Sequence, residues 1–472
     1  MKAYNKHASL NGNLVMVGFG SIGQAVLPLL FRHLEIRPEQ IRIISADENG
    51  EDIARSFGVA STYHILTEKN YLSILEPCLN KGDFLLNLSV DVSSVALIEL
   101  CWRRGVLYLD TCIEPWPGGY TDASIPVSLR SNYALREKAL SFGREKREGP
   151  TALLAHGANP GLVSSFVKQA LLNIAGDTGV PAKRPESHRD WASLARRLEI
   201  KAIHIAERDT QVAAPRKQRD EFVNTWSVAG FVGESLQPAE LGWGNHELYL
   251  PQDGAHHGFG CDAAIYLNQP GAATRVRSWT PLGGPYHGFL ITHGESISLA
   301  DHLTVRENEK VVYRPTVHYA YHPCDDAVLS VHELAGRNWR LQSIGRLVRD
   351  EIVAGTDELG VLLLGHARQA YWYGSRLSIQ ESRKLAPYNN ATSLQVAAGV
   401  LAGMAWVLRN PYAGVVEPDD IDHEIILEIA QTYLGEVVGI YSNWTPLQDR
   451  EWLFSEEVDR NDPWQFKNIR VT

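Results

Sequence analysis

A short glycine-rich stretch near the start of the chain has the spacing of a phosphate-binding turn. Residues 18–23 carry three glycines as G-x-G-x-x-G, after an apolar run of strand length at 14–17 and before a helix-patterned segment at 24–30. In such a turn the first glycine permits the tight bend, the second lets backbone approach a pyrophosphate, and the third lets the helix pack on the strand. The helix N-terminus offers free N–H groups to the phosphates. This context favours a dinucleotide site over an ordinary glycine-rich turn. Its residues are Gly18, Gly20, Ser21, Ile22 and Gly23.

An acidic residue follows the second predicted strand, 40–45. About 20 residues past a dinucleotide-binding turn, a carboxylate normally binds the ribose hydroxyls and disfavours a 2′-phosphate. Asp47 is the candidate for this role, and it indicates NAD as the cofactor rather than NADP. It lies two residues beyond Ser45, where the strand ends, so a solvated aspartate in a turn is the alternative.

Polar side chains follow three further apolar runs, 84–86, 105–109 and 151–155. The carboxyl ends of parallel strands meet at one edge of a doubly wound sheet, and ligands bind in the crevice outside that edge. One polar cluster alone could be a capped loop, but three in succession after a glycine-rich turn favour a crevice. The candidate crevice residues are Asn87, Ser89, Asp91, Thr111, Glu114 and Asn159.

Further along the chain, charged residues alternate with apolar ones in the segment 204–211, which contains Glu207, and Trp226 follows nearby. This alternation is typical of a strand whose polar side faces a cleft, although a salt-bridged surface strand gives the same pattern. A different group, His318, His322 and Cys324, could ligate zinc. It lacks a second cysteine pair or an H-E-x-x-H motif, so we expect no metal site. The sequence also lacks G-x-S-x-G, and covalent catalysis is not indicated.

Composition limits the classes of protein to which the chain can belong. Its 472 residues predict two or three domains, and 44% hydrophobic and 21% charged residues describe a soluble globular protein. No run approaches the roughly 20 apolar residues of a membrane span. The net charge of −10 argues against a nucleic-acid partner. Five scattered cysteines without C-x-x-C suit free thiols in the cytoplasm.

The order of the predicted elements indicates an α/β protein that begins with a Rossmann-type, doubly wound parallel sheet over 1–158. A second, mixed α+β domain for substrate binding and dimerisation is expected over 159–390, since the chain from 201 to 349 is rich in aromatic residues and short alternating runs. A long apolar helix around 391–410 is expected to pack back on the first domain. The remaining residues, 411–472, are expected to wrap both domains.

Together these motifs resemble those of the bacterial homospermidine synthases, and the resemblance runs from the glycine-rich turn to Asp462-Pro-Trp464-Gln-Phe466 at the tail. The nucleotide turn and the Asn-Pro-Gly at 159–161 would fit any saccharopine-dehydrogenase-like reductase, whereas the segments around Glu207 and Trp226 are specific. The matching segments are Gly18-Phe-Gly20-Ser-Ile-Gly23, Asn87-Leu-Ser-Val-Asp91, Glu114-Pro-Trp116, Gly157-Ala-Asn159-Pro-Gly161, Ala206-Glu207-Arg-Asp209-Thr-Gln211 and Asn224-Thr-Trp226.

The resemblance implies an enzyme that uses NAD as a prosthetic hydride carrier on polyamines. In this family putrescine is oxidised to an imine, ammonia leaves, and a second putrescine adds to the same carbon. The resulting Schiff base is then reduced by the same NADH. Spermidine can replace one putrescine as the aminobutyl donor. A homodimer is the family expectation.

The resemblance also implies roles for individual side chains. Trp226 would lie over the bound cation, where a desolvated ammonium gains roughly 0.5–2 kcal/mol from an indole face. Glu207, Glu114, Asp91 and Asn159 would surround the amino groups, with His293 nearby, and Glu234 and Asp357 would line the substrate entrance. Which acidic residue moves protons stays open.

Two other functions remain to be weighed against the synthase. A saccharopine- or carboxynorspermidine-type reductase acts on carboxylated substrates and should need an arginine clamp. The candidate arginines are Arg208, Arg275, Arg277 and Arg314, and none is placed beside the Glu207 and Trp226 motifs in a way that argues for such a clamp. A nucleotide-sensing protein without turnover would not need so many carboxylates at strand ends.

Overall fold

A parallel sheet forms the first part of the chain in the computed structural model, which describes residues 4–145 and 148–472. Its elements, in chain order, are β1 (Ala8–Ser9), β2 (Leu14–Val17), α1 (Ser21–His33), β3 (Leu34–Glu35), β4 (Ile41–Ser45), α2 (Glu51–Ser56), β5 (Ala60–Tyr63), α3 (Tyr71–Leu75), β6 (Phe84–Asn87), α4 (Ser94–Arg104), β7 (Leu107–Asp110), α5 (Asn132–Glu145) and β8 (Ala152–Leu153).

The strand order of this sheet is β5-β4-β2-β6-β7-β8, and every pairing in it is parallel. The order reverses between β2 and β6, which is the point where doubly wound sheets bind nucleotides. Alternate residues of β2 pack into separate apolar clusters on the two faces, Leu14 and Met16 on one face and Val15 and Val17 on the other. Burial on both faces explains why these strands are continuous apolar runs. The predicted Rossmann-type α/β fold is confirmed.

The rest of the chain builds a second layer of strands and helices. Its elements are α6 (Leu162–Thr178), α7 (His188–Arg197), β9 (Ala202–Asp209), β10 (Val212–Ala213), β11 (Glu221–Asn224), α8 (Val228–Leu236), β12 (Pro238–Gly242), β13 (Gly254–His256), β14 (Ala264–Pro270), β15 (Arg275–Thr280), β16 (Gly284–Phe289), α9 (Gly294–His302), β17 (Val305–Glu307), β18 (Lys310–Tyr313), β19 (Thr316–His322), α10 (Asp325–Gly336), β20 (Ile344–Leu347), β21 (Ile352–Ala354), β22 (Thr356–His366), β23 (Gln369–Ser378), α11 (Ile379–Leu385), α12 (Ala391–Arg409), β24 (Val415–Val416), α13 (His423–Ala430), β25 (Glu436–Ser442), α14 (Phe466–Ile469) and β26 (Arg470–Val471).

An eleven-stranded mixed sheet dominates this second part, as the sequence predicts. Strand β9 lies at its centre, parallel to β19 on one side and antiparallel to β22 on the other. Side chains of a strand alternate between the two faces of the sheet, so Ile203, Ile205, Glu207 and Asp209 share one face. The two isoleucines pack in the main apolar core, and this places both carboxylates at the end of a buried face.

Helix α12 joins the two parts of the molecule. It packs on α1 and on α13, and 89% of its most apolar stretch is buried inside the protein. By length and hydropathy it could cross a membrane, but here it is a core helix. Beyond it, β24 becomes the seventh strand of the parallel sheet beside β8, whereas β25 and β26 join the mixed sheet. The segment 411–472 therefore adds strands to both sheets, and its stretch 443–465 runs as turns and irregular backbone.

Close packing of α12 on the turn at Gly157 predicts the effect of one substitution. A Cβ at Gly399 would collide with the carbonyl oxygen of Gly157. This oxygen is a backbone atom in a packed interior, so it cannot easily move away. We expect Gly399→Ala to lower the free energy of unfolding by about 1–3 kcal/mol, as overpacking typically does. The matched control is Gly176→Ala in α6, where no atom of the described residues lies within 4 Å of the new Cβ. That variant should gain up to about 1 kcal/mol. Equal thermal midpoints for the two variants would contradict this packing.

Candidate functional site

A cavity of about 730 Å³ lies at the carboxyl edge of the parallel sheet, where the mixed sheet closes over it. The loops that follow β2, β4, β6 and β7 form one side. Side chains from β9, β19, the start of α8 and the start of α9 form the other. The volume is typical of a site for a small molecule or cofactor. The three polar clusters predicted to share a crevice are brought together here.

The glycine-rich turn forms one end of the cavity. Gly20 precedes α1 with φ −71°, which any residue can adopt, and no atom of the described residues lies within 4 Å of a Cβ placed there. Gly18 differs, since its φ is +87° and a Cβ would lie 2.7 Å from Leu88 backbone. Gly23 packs behind the turn, where a Cβ would lie 2.9 Å from Phe19. The fold itself requires Gly18 and Gly23, whereas Gly20 leaves open space for a ligand.

Helix α1 also presents free donors at this end. No side chain caps its first turn, so its leading N–H groups are left for an anion in the cavity. The other predicted nucleotide residues in the wall are Ser21, Ile22, Asp47, Ser89 and Thr111. Together, the open space at Gly20 and these donors fit a pyrophosphate.

Asn87 is a correction to the predicted cofactor site. Its side chain is 1% exposed and does not line the cavity. The amide oxygen instead accepts hydrogen bonds from the N–H (3.2 Å) and the hydroxyl (2.5 Å) of Ser89. It stands at the end of β6, whose residues are buried on both faces, and its amide group therefore shapes the turn that presents Ser89.

Glu207 lies at the opposite, acidic end of the cavity, and its residue is 3% exposed. Its Oε2 accepts hydrogen bonds from the Asn159 amide (2.7 Å) and from the Tyr319 hydroxyl (2.5 Å). Among the described residues no hydrogen bond reaches Oε1, which leaves that oxygen for a ligand. Burial raises the pKa of Glu207 to about 7, although the two donors and His293 oppose the rise.

Asp209 lies one strand period beyond Glu207 on the same face of β9. Its carboxylate accepts hydrogen bonds from Gln211 and from the hydroxyl of Thr225 (3.1 Å). Burial raises the pKa of Asp209 to about 6, against these hydrogen bonds. It is not part of the cavity wall, and its hydrogen bonds connect this end of β9 to Gln211 and Thr225.

His293 caps α9 and lies between two carboxylates. Its Nε2 is 3.1 Å from Glu234 and its Nδ1 is 3.2 Å from Glu295. Burial alone would lower the pKa of His293, but the paired carboxylates outweigh it and hold the pKa well above its usual value. The two carboxylates therefore favour the protonated form of the imidazole. It also packs against the Tyr319 ring, with centroids 4.5 Å apart.

Glu114 and Asp91 complete the acidic wall. Glu114 is 6% exposed, and burial together with the charges of Glu234 and Asp91 raises its pKa to about 8. Asp91 is more exposed, and partial burial raises its pKa as well. Among the described residues that form the wall, none is lysine or arginine. These carboxyl groups therefore form an acidic end of the cavity, where His293 is paired with Glu234.

Trp226 lines the cavity beside these carboxylates and is only half-buried. It precedes α8, which Ser227 caps by accepting a hydrogen bond from Gly230 N–H (3.0 Å). The indole lies against Gly230, since a Cβ there would be 2.7 Å from indole Cζ3. The glycine thus lets an aromatic face approach the helix closely.

The predicted substrate entrance is not where the sequence suggested. Asp357 is fully buried, lies opposite Asp209 on the neighbouring strand, and accepts a hydrogen bond from Thr392 (2.6 Å). It does not line the cavity. Glu234 does line the cavity, but its side chain is 9% exposed and pairs with His293, so it belongs to the inner wall.

Two important side chains escaped the sequence reasoning, Tyr319 and Glu295. The alternation of β19 turns Tyr319 and Tyr321 to the Glu207 face, opposite to His318. His318 faces the other way and stacks on His204 with ring centroids 4.1 Å apart. A period-of-two analysis of 316–322 would have found Tyr319. No motif or pattern in the sequence around Glu295 indicates that it contacts the site.

The ion pairs around His293 make a testable prediction. Glu234→Gln removes one of two carboxylates that favour the imidazolium, so the pKa of His293 should fall towards its usual value. We expect nitrogen-15 NMR of histidine-labelled protein to show His293 protonated at neutral pH in the parent and at a lower pKa in the variant. His204 provides the internal control, since burial holds its pKa well below 6.5. An unchanged His293 titration in Glu234→Gln would contradict this arrangement.

Comparisons with known proteins agree with this architecture. Residues 14–153 match the family described as "Saccharopine dehydrogenase NADP binding domain", and residues 157–440 match "Saccharopine dehydrogenase C-terminal domain". The homospermidine synthase of Blastochloris viridis is 53% identical over 98% of both chains. That of Mesorhizobium japonicum is 50% identical, over 98% of this chain and 97% of its own.

A solved structure extends the likeness to three dimensions. The homospermidine synthase of Legionella pneumophila, solved in complex with NAD, is 50% identical, covers 98% of both chains and has a TM-score of 0.92. Identity of this level over nearly the full length confirms the resemblance found in the motifs. The chain belongs to the homospermidine synthase family, within the saccharopine dehydrogenase-like proteins.

Proposed function

We propose that this protein is a homospermidine synthase that transfers an aminobutyl group between polyamines with NAD as its cofactor. Two putrescine molecules would give homospermidine and ammonia, or putrescine and spermidine would give homospermidine and 1,3-diaminopropane. The observation that carries this proposal is the acidic wall, which presents Asp91, Glu114, Glu207 and Glu234 without a lysine or arginine among the described wall residues. Such a wall suits a substrate with two ammonium groups. We propose a cytoplasmic homodimer, as in the family.

The nucleotide end of the cavity suits NAD. Residues 18–22 and the first turn of α1 would hold the pyrophosphate, and Ser89 and Thr111 would contact the rest of the dinucleotide. When bound, NAD accepts a hydride from the amine-bearing carbon and returns it to the later imine. The protein contributes binding, orientation and exclusion of water, because an exposed imine would hydrolyse to an aldehyde.

The acidic end would bind and orient the amine. Glu207 Oε1 is free to accept a hydrogen bond from an ammonium group, while Oε2 is held by Asn159 and Tyr319. Trp226 would add a cation–π contact. The His293 imidazolium, fixed between Glu234 and Glu295, prevents the wall from carrying its full negative charge when no substrate is bound.

An amine must lose a proton before its carbon can give up a hydride, and Glu114 is our candidate for the acceptor. Its raised pKa of about 8 brings it closer to an alkyl ammonium than an ordinary carboxylate would be. A bound ammonium favours the ionised carboxylate, so the amine nitrogen and Glu114 can share one proton. Later in the cycle the protonated Glu114 can return it to the departing ammonia.

The simplest experiment supplies putrescine and NAD⁺ and no other substrate. A synthase forms a triamine and ammonia, which mass spectrometry and an ammonia assay detect, without net accumulation of NADH. A reductase of the saccharopine or carboxynorspermidine type would give no triamine from these reactants. That result, with properly folded protein, would contradict the proposed function.

The cofactor site makes a prediction that does not depend on turnover. We expect tighter binding of NAD⁺ than of NADP⁺ by calorimetry, because Asp47 lines the cavity and would repel a 2′-phosphate. Asp47→Asn should narrow that difference by improving NADP⁺ binding. Preference for NADP⁺ in the parent protein would contradict this role of Asp47.

Gly20→Ala tests the pyrophosphate position separately. A methyl group there meets open space and no strained φ, so the variant without cofactor should unfold at the same temperature as the parent. Its affinity for NAD⁺ should nevertheless fall, because the methyl group would occupy space needed for phosphate, and Gly20→Val should abolish binding. Unchanged affinity in both variants would place the cofactor elsewhere.

The proposed cation–π contact predicts an order among Trp226 variants. Trp226→Phe should retain more kcat/KM for putrescine than Trp226→Leu, since leucine keeps apolar volume but has no quadrupole. Equal losses would contradict the contact. Gly230→Ala should also lower kcat/KM by displacing the indole, whereas Gly233→Ala in the same helix should not, because no described atom lies within 4 Å of its added Cβ.

A further inference from the structure

Outside the cavity, three residues from distant parts of the chain bring metal-ligating atoms together. His188 begins α7, His302 ends α9, and Asp420 lies in the connection that follows β24. One ligating atom from each residue lies within 4.8 Å of the other two. None of the three lines the cavity, and the proposed reaction does not use them.

His302 is the strongest evidence that this cluster holds a ligand. The residue is 5% exposed, and neither ring nitrogen has a hydrogen-bond partner in the described part of the chain. Burying a polar group without a partner typically costs about 1–3 kcal/mol. Both ring nitrogens are therefore available to a ligand. A neutral imidazole is the form that binds transition metals.

His188 and Asp420 provide the accessible side of the cluster. His188 Nε2 lies 2.6 Å from Asp420 Oδ1, and their side chains are 63% and 29% exposed. The His188 ring packs on the His302 ring with centroids 3.9 Å apart. An ion can therefore enter from solvent, displace the proton shared by His188 and Asp420, and reach the buried nitrogen of His302.

The charges around the cluster decide whether a dication is tolerated. The ammonium of Lys168 would repel a dication, but it donates hydrogen bonds to the carbonyl oxygens of Asp419 (2.6 Å) and Ile421 (3.0 Å). The carboxyl groups of Asp419 and Asp420 lie near it and favour its positive charge. A dication that binds the Asp420 carboxylate and two neutral imidazoles would be attracted by the carboxylates at this position.

We propose that His188, His302 and Asp420 form a binding site for a first-row transition-metal dication, with Zn²⁺ as the reference ion. Two imidazoles and one carboxylate are typical zinc ligands, whereas Mg²⁺ and Ca²⁺ prefer all-oxygen sites. Three protein ligands leave a fourth position to water. The ion would connect α7, α9 and the segment after β24, which belongs to the edge of the parallel sheet.

This site would act on stability and not on the chemistry of the cavity. Helix α9 begins directly after His293 and ends at His302, so the ion would fix the far end of the helix that carries Glu295. A metal that binds only the folded state raises the thermal midpoint by mass action. Metal binding at this site is also independent of whether the cavity binds polyamines.

The test uses full-length protein without an affinity tag, freed of metal by a chelator and then titrated with Co²⁺. We expect visible d–d absorption that saturates at one ion per chain, is displaced by Zn²⁺, and accompanies a higher thermal midpoint. His188→Ala and Asp420→Asn should each weaken binding by at least about tenfold, since even outer-shell changes typically cost that much. Asparagine retains the hydrogen bond that Asp420 accepts from Glu417 N–H.

His256→Ala is the matched control, because His256 is another exposed histidine near a carboxylate, 3.9 Å from Asp262. It should bind Co²⁺ as the parent protein does. The proposal is overturned if the parent shows no saturable absorption at one ion per chain, or if His188→Ala and Asp420→Asn bind as tightly as the parent.

Discussion

Buried carboxyl groups without a lysine or arginine partner are the constraint on which this site depends. Glu207 and Glu114 are 3% and 6% exposed, and burial raises their pKa values to about 7 and 8. In most proteins a buried carboxylate is paired with lysine or arginine. Here the described wall offers no lysine or arginine, and its His293 is already shared by two carboxylates. A cationic ligand is what can complete the charge balance.

Each of the two sheets positions a different part of this site. The parallel sheet brings the glycine-rich turn and the loops with Asp91 and Glu114 to one edge. The mixed sheet presents Glu207 from its central strand, where neighbours on both sides prevent the carboxylate from moving to solvent. Asn159 lies at the junction between the two parts and donates its hydrogen bond across it. In the proposed function, dinucleotide and amine would therefore be bound by different layers that meet in one cavity.

Much of the fold could be predicted because its signals are local. The apolar runs of the parallel strands, the glycine-rich turn and the long helix α12 each depend on residues close in sequence. The partners of Glu207 are not local: Tyr319 is 112 residues away and reaches it only because β19 pairs with β9 in parallel register. Asp357 was misplaced for the same reason, since only the register with β9 shows that it is buried opposite Asp209. Likewise, nothing near Val415 indicates that it extends the first sheet.

In the proposed reaction, one bound cofactor would remove a hydride from the amine and return it to the product within the same cavity. Putrescine deuterated on both terminal carbons tests this directly, with NAD⁺ and added unlabelled NADH in solution. If the cofactor stays bound, the triamine keeps its full deuterium content, because the abstracted deuteride never mixes with the pool. Loss of one deuterium at the newly formed C–N carbon would show that the cofactor exchanges between the two transfers, and it would contradict this account.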